Sequence, residues 1–196
     1  METIESIGNE KRLKLCILGT TLVGKTTLIN KFLYEQDEEG TEKTVEEQYI
    51  KYIKIKEEDC ILQIIDTGGL EDYLKNLDVW IDSSEGFMLV FSINDKDSFE
   101  GLKIRYDEIV RFKKEQQFSV IIVGNKADLE KERAVNNEDV KEFCSKNSLK
   151  YYEVSALGDN NKIEEIFLKI AKKIFKIKYP PQQENHEEIK KCCRFC

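Results

Sequence analysis

The chain has 196 residues, a formal net charge of −7 and six cysteines. This length predicts one domain with a substantial core and a tail, and it argues against a second full domain. The mild acidity, with charges spread along the chain, argues against nucleic-acid binding, which uses a basic stripe. No apolar run reaches the ~20 residues of a bilayer-spanning helix, and the first residues lack a signal-peptide pattern, so we expect the chain to stay on the cytosolic side.

Apolar segments along the chain alternate between strand-like and helix-like character. The predicted strands are 13–18, 49–55, 60–65, 87–93, 120–123 and 150–154, and the predicted helices are 25–34, 98–113, 137–146 and 163–177. The second and third strands are expected to form an antiparallel hairpin at a sheet edge, after a polar loop at 35–47. The alternation predicts an α/β fold with a six-stranded, mostly parallel sheet and helices on both faces.

A glycine-rich stretch follows the first strand and precedes the first helix. Residues 19–26 match the pattern G-x-x-x-x-G-K-S/T, in which backbone N–H groups and a helix N-terminus surround a triphosphate. Lys25 is expected to neutralise the outer phosphates, and the Thr26 hydroxyl is expected to ligate Mg²⁺. The residues expected to contact nucleotide here are Thr21, Leu22, Val23, Gly24, Lys25, Thr26 and Thr27. The alternative is an ordinary strand-to-helix turn with a chance lysine, which the later motifs disfavour.

Three further segments are expected at the carboxyl ends of strands, where α/β sheets bind their ligands. After the third strand, Asp66 is placed to hold Mg²⁺ through water, and the Gly69 N–H can reach a terminal phosphate. Alone, Asp66 would serve equally well as a turn or helix-cap aspartate. The phosphate-binding pattern upstream favours the metal.

The third motif predicts the choice of base. The Asp128 carboxylate matches the adjacent ring N–H and amino group of guanine, whereas adenine offers an acceptor at the ring position. Asn125 is expected to brace this loop and the base, and Lys126 to lie along the ring. After the last strand come Ser155 and Ala156, whose backbone N–H is available to the guanine carbonyl.

With these motifs in place, the chain closely resembles the Ras-type small GTPases from about residue 11 to its end. The resemblance implies a P-loop NTPase G domain over 12–178, a flexible segment 1–11, a flexible tail 179–196, bound GTP or GDP with Mg²⁺, and a monomer. It implies that Thr44 ligates Mg²⁺ and contacts the γ-phosphate, so that phosphate loss releases two switch segments. The implied effector-binding residues are Thr44, Val45, Glu46, Glu47, Gln48 and Tyr49.

Two departures from the family pattern concern hydrolysis. Leu70 stands where the family has the glutamine that positions water, and leucine has no hydrogen-bonding group. Thr21 replaces a glycine, which crowds the γ-phosphate and the path of an arginine from an activating protein. We therefore expect tight guanine-nucleotide binding with very slow hydrolysis. We also expect an exchange factor as a partner, and we consider an activating protein doubtful. The alternative is that Thr67, Gln63 or a partner residue supplies the water contact.

Three cysteines crowd the last five positions. Cys193 begins a four-residue C-a-a-X ending, and Cys192 beside it is a candidate for a palmitoyl chain, so two anchoring signals predict attachment to the cytoplasmic face of a membrane, the plasma membrane first. Arg194 and the terminal Cys196 fit that pattern imperfectly, and a terminus with incidental cysteines is the alternative. The other three cysteines, Cys16, Cys60 and Cys144, are expected to be small buried side chains.

Three functions remain open at this point. The first is a membrane-anchored GTP-dependent switch that recruits effectors and hydrolyses slowly. The second is a GTP-bound adaptor with almost no turnover. The third is a P-loop enzyme that transfers phosphate to a small molecule, which the few, scattered arginines disfavour.

Overall fold

A computed structural model describes residues 10–34, 46–67 and 77–181. The strands are β1 (Lys11–Leu18), β2 (Glu46–Ile55), β3 (Glu58–Thr67), β4 (Gly86–Ser92), β5 (Ser119–Asn125) and β6 (Lys150–Glu153). The helices are α1 (Lys25–Tyr34), α2 (Leu77–Ser83), α3 (Lys96–Lys113), α4 (Asn137–Lys146) and α5 (Asn160–Lys178), with a 3₁₀ turn at Ala127–Glu132.

The six strands form one sheet in the order β2-β3-β1-β4-β5-β6. Only the β2–β3 pair is antiparallel, and the other four pairings are parallel. The predicted α/β fold with one antiparallel edge strand is confirmed. Because β1 lies between β3 and β4, its carboxyl end opens at the point where the strand order reverses, which is where open α/β sheets bind ligands.

Each face of the sheet carries its own apolar core. Alternate β1 residues face opposite sides, so Leu15 packs in the core under α1 and α5, and Cys16 packs in the core under α2, α3 and α4. In the first core, the Phe32 ring of α1 stacks on Phe167 of α5 with centroids 4.2 Å apart. The first core therefore packs α1 against one face of the sheet, and the second packs α3 against the other.

Several element boundaries differ from the sequence prediction. Helices α3 and α5 begin earlier than expected, because Asp95 accepts from the N–H groups of Asp97 and Ser98, and Asp159 accepts from Asn161. Such side-chain caps satisfy N–H groups that a helix start leaves unpaired. Helix α2 was not predicted, since its seven residues carry too short an apolar repeat.

Two polar residues of the predicted motifs lie inside strands rather than after them. Asp66 pairs with Ile17 in the β1–β3 ladder, and Asn125 pairs with Ser92 in the β4–β5 ladder. Ladder hydrogen bonds use the backbone, so a polar side chain at a strand end does not stop the pairing. Strand β2 likewise begins at Glu46, inside the stretch predicted as loop.

The ends of the described chain meet on one side of the sheet. Lys11, predicted to be in a flexible segment, is the first residue of β1, and its ammonium lies 5.0 Å from the centroid of the Phe175 ring. The Tyr179 hydroxyl, just after α5, donates to the Arg12 carbonyl at 3.4 Å. None of the helices within the described ranges combines the length and apolar character that a bilayer crossing requires. The predicted burial of Cys16, Cys60 and Cys144 is confirmed, and all three are free thiols.

Candidate functional site

The loop between β1 and α1 is closed at each end by a glycine that has no room for a side chain. A Cβ on Gly19 would lie 2.2 Å from the Val90 carbonyl oxygen, and one on Gly24 would lie 2.3 Å from the amide nitrogen of Asn125. Gly24 also has φ of +92°, a conformation that side chains rarely adopt. The two glycines therefore let the loop pass close to β4 and β5 while α1 begins directly behind it.

Lys25 places a buried cation inside this loop. Its side chain is 5% exposed, and Nζ donates to the carbonyl oxygens of Gly19 and Thr20, each at 3.0 Å. Burial lowers the pKa of Lys25 to about 8, and the nearby Asp66 carboxylate opposes that shift. An ammonium held by backbone oxygens at a helix N-terminus is suited to binding a phosphate oxygen.

Thr26 and Asp66 bring two oxygen ligands together at the same end of the sheet. The Thr26 hydroxyl donates to Asp66 Oδ2 at 2.5 Å, and Asp66 is fully buried one residue before the end of β3. These oxygens fit Mg²⁺, which prefers hard oxygen ligands and retains waters and substrate phosphates in its shell. In the described ranges no cluster of three or more acidic, histidine or cysteine side chains could hold a metal by itself.

Asn125 joins the phosphate loop to the loop after β6. Its Nδ2 donates to the Val23 carbonyl at 2.8 Å, and its Oδ1 accepts from the Ala156 N–H at 2.9 Å. The side chain is 1% exposed, so both bonds are made away from water. The Ala156 N–H predicted to face a guanine carbonyl is thus engaged by Asn125 here, and it would have to be shared with the base.

The remaining base-binding candidates lie on short ordered turns. Lys126 has φ of +63°, and the turn that follows presents the Asp128 side chain at the surface. The Ser155 hydroxyl accepts from the Leu157 N–H at 3.1 Å, and its carbonyl accepts from Gly158. The structure therefore brings the 125–128 and 155–156 segments to the carboxyl ends of β5 and β6, beside the phosphate loop.

The left-handed backbone of Leu22 is a feature of the loop that sequence reasoning missed. The residue has φ of +64°, a left-handed conformation costly for a leucine, and its side chain is 66% exposed at the mouth of the loop. Thr21 precedes it. The absence of glycine between residues 19 and 24 was the available signal, because the loop has to turn through this conformation whatever residue occupies it.

Other predicted residues fall outside the described ranges. These are Thr44, Val45, Gly69, Leu70, Cys192 and Cys193. Of the predicted effector segment, β2 contains the backbone of residues 46–49, with Gln48 exposed. The Thr67 hydroxyl donates to the Ile17 carbonyl at 2.9 Å, and Gln63 donates to Gln48 at 2.9 Å on the sheet surface.

Fold and site together define a P-loop NTPase of the G-domain class, because the glycine-lysine loop, the Thr26–Asp66 oxygen pair and the turn after β5 meet at the carboxyl ends of the strands. The model of the Ras family matches residues 14–176. Protein ras-1 of Neurospora crassa is 35% identical over 163 residues, which cover 83% of this chain and 76% of the relative. Ras-like protein rasB of Dictyostelium discoideum is 31% identical over 171 residues, which cover 87% of this chain and 85% of the relative.

The chain belongs to the Ras family. It is a Ras-type small GTPase, a guanine-nucleotide-dependent signalling switch that generally uses Mg²⁺, effectors and exchange factors. The predicted resemblance is confirmed. The roles assigned to individual residues remain predictions.

Proposed function

We propose that this GTPase binds guanine nucleotide tightly, hydrolyses GTP very slowly and rests largely in its GTP-bound state on a membrane. The observation that supports nucleotide binding concerns the Asn125 side chain. It holds the phosphate loop and the Ala156 loop in one arrangement through two buried hydrogen bonds. A purine and a triphosphate on one ligand require those two loops at a fixed separation.

Each side chain in this proposal has one task. Lys25 binds the outer phosphate oxygens, exchanging its present carbonyl partners for stronger charged ones. Thr26 would hold Mg²⁺ directly and Asp66 would hold it through water, and the ion would supply positive charge against the phosphates. Asp128 accepts from the guanine ring N–H and amino group. Thr44 and Gly69 are proposed to contact the γ-phosphate.

Slow hydrolysis is supported by what the site offers an attacking water. Leu70 has no donor or acceptor. The Thr67 hydroxyl donates to the buried Ile17 carbonyl, and Gln63 donates to Gln48 on the sheet surface, so both substitutes for a glutamine have other hydrogen-bond partners. The loop also carries Thr21 in place of a glycine, beside the exposed Leu22, and these side chains narrow the approach of an arginine from a partner.

Beyond the nucleotide, we propose effector binding through the segment from Thr44 to Tyr49 and a monomeric state. An exchange factor loads the nucleotide, and an activating protein contributes little. Lipid attachment at Cys193, with Cys192 as a second site, would place the protein on the cytoplasmic face of the plasma membrane, since two anchoring signals are needed for stable binding.

A second candidate is a GTP-bound adaptor with essentially no turnover, and Leu70 is the observation that favours it. The rate of hydrolysis separates the two. Membership of the Ras family stands against the third candidate, a small-molecule kinase. The ion pairs that Arg105 and Arg133 form with glutamates also disfavour a kinase.

Single-turnover hydrolysis of GTP-loaded protein tests the proposal. Ras proteins alone turn over at about 10⁻⁴ s⁻¹, and an inserted arginine raises that about 10⁵-fold, both known properties of the class. We expect the wild type to be at least about tenfold slower than that basal rate, and Leu70→Gln, alone or with Thr21→Gly, to recover part of the loss. Ile104→Gln, at an exposed apolar position within α3, is the matched control and should leave the rate unchanged. A wild-type rate equal to that of Leu70→Gln would refute slow hydrolysis.

A further inference from the structure

Arg133 joins the two segments that flank the proposed base site. Its guanidinium donates to the Glu153 carboxylate at 2.6 and 3.2 Å, and its Nε donates to the Glu130 carboxylate at 2.9 and 3.0 Å. Glu130 belongs to the turn that carries Asp128, and Glu153 is the last residue of β6, just ahead of Ser155. One side chain therefore bridges both segments.

This bridge is partly shielded and has further support. The side chains of Arg133 and Glu153 are 14% and 25% exposed, and the Tyr151 hydroxyl donates to Glu153 Oε2 at 2.5 Å. Burial, followed by the hydrogen bond to Glu153, raises the pKa of Tyr151, so the hydroxyl keeps its proton and remains a donor. Gly124 leaves space for that hydroxyl, because a Cβ there would lie 2.7 Å from it.

The Asp128 carboxylate depends on its turn for its position. It is exposed and accepts no hydrogen bond from the described part of the chain. The turn itself is irregular: Leu129 donates to the Lys126 carbonyl at 2.8 Å but has non-helical dihedral angles. A short turn of this kind has few internal hydrogen bonds, so a side chain fixing its far end limits how it can move.

We propose that Arg133, held through Glu153 and Tyr151, is a positioning residue that fixes the Asp128 turn against the Ser155–Ala156 loop and thereby sets the rate at which guanine nucleotide leaves. The inference rests on the proposed guanine binding. In this role Arg133 acts through its contacts with Glu130 and Glu153. It acts by keeping two loops at the separation that a bound purine requires.

Release of a fluorescent GDP from the full-length protein tests this. We expect Arg133→Gln to release GDP about tenfold faster, and Tyr151→Phe, which removes only the hydroxyl, about threefold faster. The matched control is Arg105→Gln. It breaks the Arg105–Glu108 ion pair, which has similar length and exposure, 2.6 Å with 22% and 23% exposed side chains, but lies within α3 alone. This control should stay within about twofold of the wild type.

A second measurement separates positioning from general stability. Inosine diphosphate lacks the amino group that Asp128 would accept from, so the ratio of GDP to IDP affinity reports how well the carboxylate is aimed. We expect Arg133→Gln to reduce that ratio about tenfold and Arg105→Gln to leave it unchanged. If both arginine variants lower the unfolding temperature alike while release and the ratio stay at wild-type values, the inference is wrong. A wild type that holds no GDP would instead overturn the proposed function.

Discussion

The amide nitrogen of Asn125 donates to the main-chain oxygen of Val23 at 2.8 Å, across 102 residues of sequence. The same side chain accepts from the Ala156 N–H, so one buried residue at the end of β5 sets the distance between the loop after β1 and the loop after β6. Each bond satisfies a backbone group that would otherwise be buried without a partner.

The Asn125 bridge gives the first prediction. In Asn125→Asp the carboxylate still accepts from Ala156 but faces the Val23 oxygen without a donor, so we expect the free energy of unfolding to fall by about 2–4 kcal/mol. Urea denaturation measures this. Asn136→Asp is the control, since an aspartate caps α4 as well as the asparagine does and should change stability by less than about 0.5 kcal/mol. Equal losses of stability in the two variants would show that the Asn125 hydrogen bonds contribute no more to folding than the Asn136 cap does.

The backbone conformation of Leu22 gives the second prediction. Its left-handed backbone costs a leucine about 1–2 kcal/mol relative to glycine. Glycine also loses more entropy on folding, so the informative quantity is the difference between Leu22→Gly and Leu157→Gly, two exposed leucines of which only the first has positive φ. We expect Leu22→Gly to be the more stable variant by about 1–2 kcal/mol in urea denaturation. No difference would mean that the loop carries no strain at Leu22.

Base selection by Asp128 gives the third prediction. In Asp128→Asn the new amide would donate to the second carbonyl of xanthine, and the acceptor that the guanine amino group needs would be lost. The substitution should therefore shift the XDP-to-GDP affinity ratio at least about 100-fold toward xanthine. Competition against fluorescent GDP measures it. Asp159→Asn, which retains its capping role at α5, should leave the ratio alone. An unchanged ratio in Asp128→Asn would show that Asp128 does not contact the base.

The three core cysteines give the fourth prediction. Burial raises the pKa of Cys144 from its ordinary value of 9.0 to about 11, and the pKa of Cys60 is raised as well. In a variant with the three terminal cysteines changed to serine, native protein should show no rapidly reacting thiol toward Ellman's reagent at pH 8, and all three should react after unfolding. Fast labelling of the native variant would contradict the packing.

The same shift has a pH consequence. The unfolded chain releases the Cys144 proton at lower pH than the folded chain does, so the stability that the buried thiol contributes is full below pH 9 and is lost as the pH rises toward 11.

Much of this architecture was predictable from sequence because its signals are local. The apolar runs of β4 and β5 and the glycine-lysine loop depend on residue type and spacing alone. Contacts between distant segments have no such signal. Nothing near Asn125 in sequence indicates that its amide meets Val23, because that contact exists only once β1, β4 and β5 are aligned in the sheet. Nothing near Arg133 indicates Glu153, because that contact requires β5 and β6 to lie side by side.

The nucleotide bound to freshly purified, full-length protein tests the central claim most directly. If binding is tight and hydrolysis slow, denaturing the protein and separating its nucleotides by ion-exchange chromatography will yield stoichiometric guanine nucleotide, mostly GTP. Leu70→Gln purified in parallel should carry a larger share of GDP. Recovery of mainly GDP from the wild type would contradict slow hydrolysis, and protein that is empty or carries adenine nucleotide would contradict the proposed site itself.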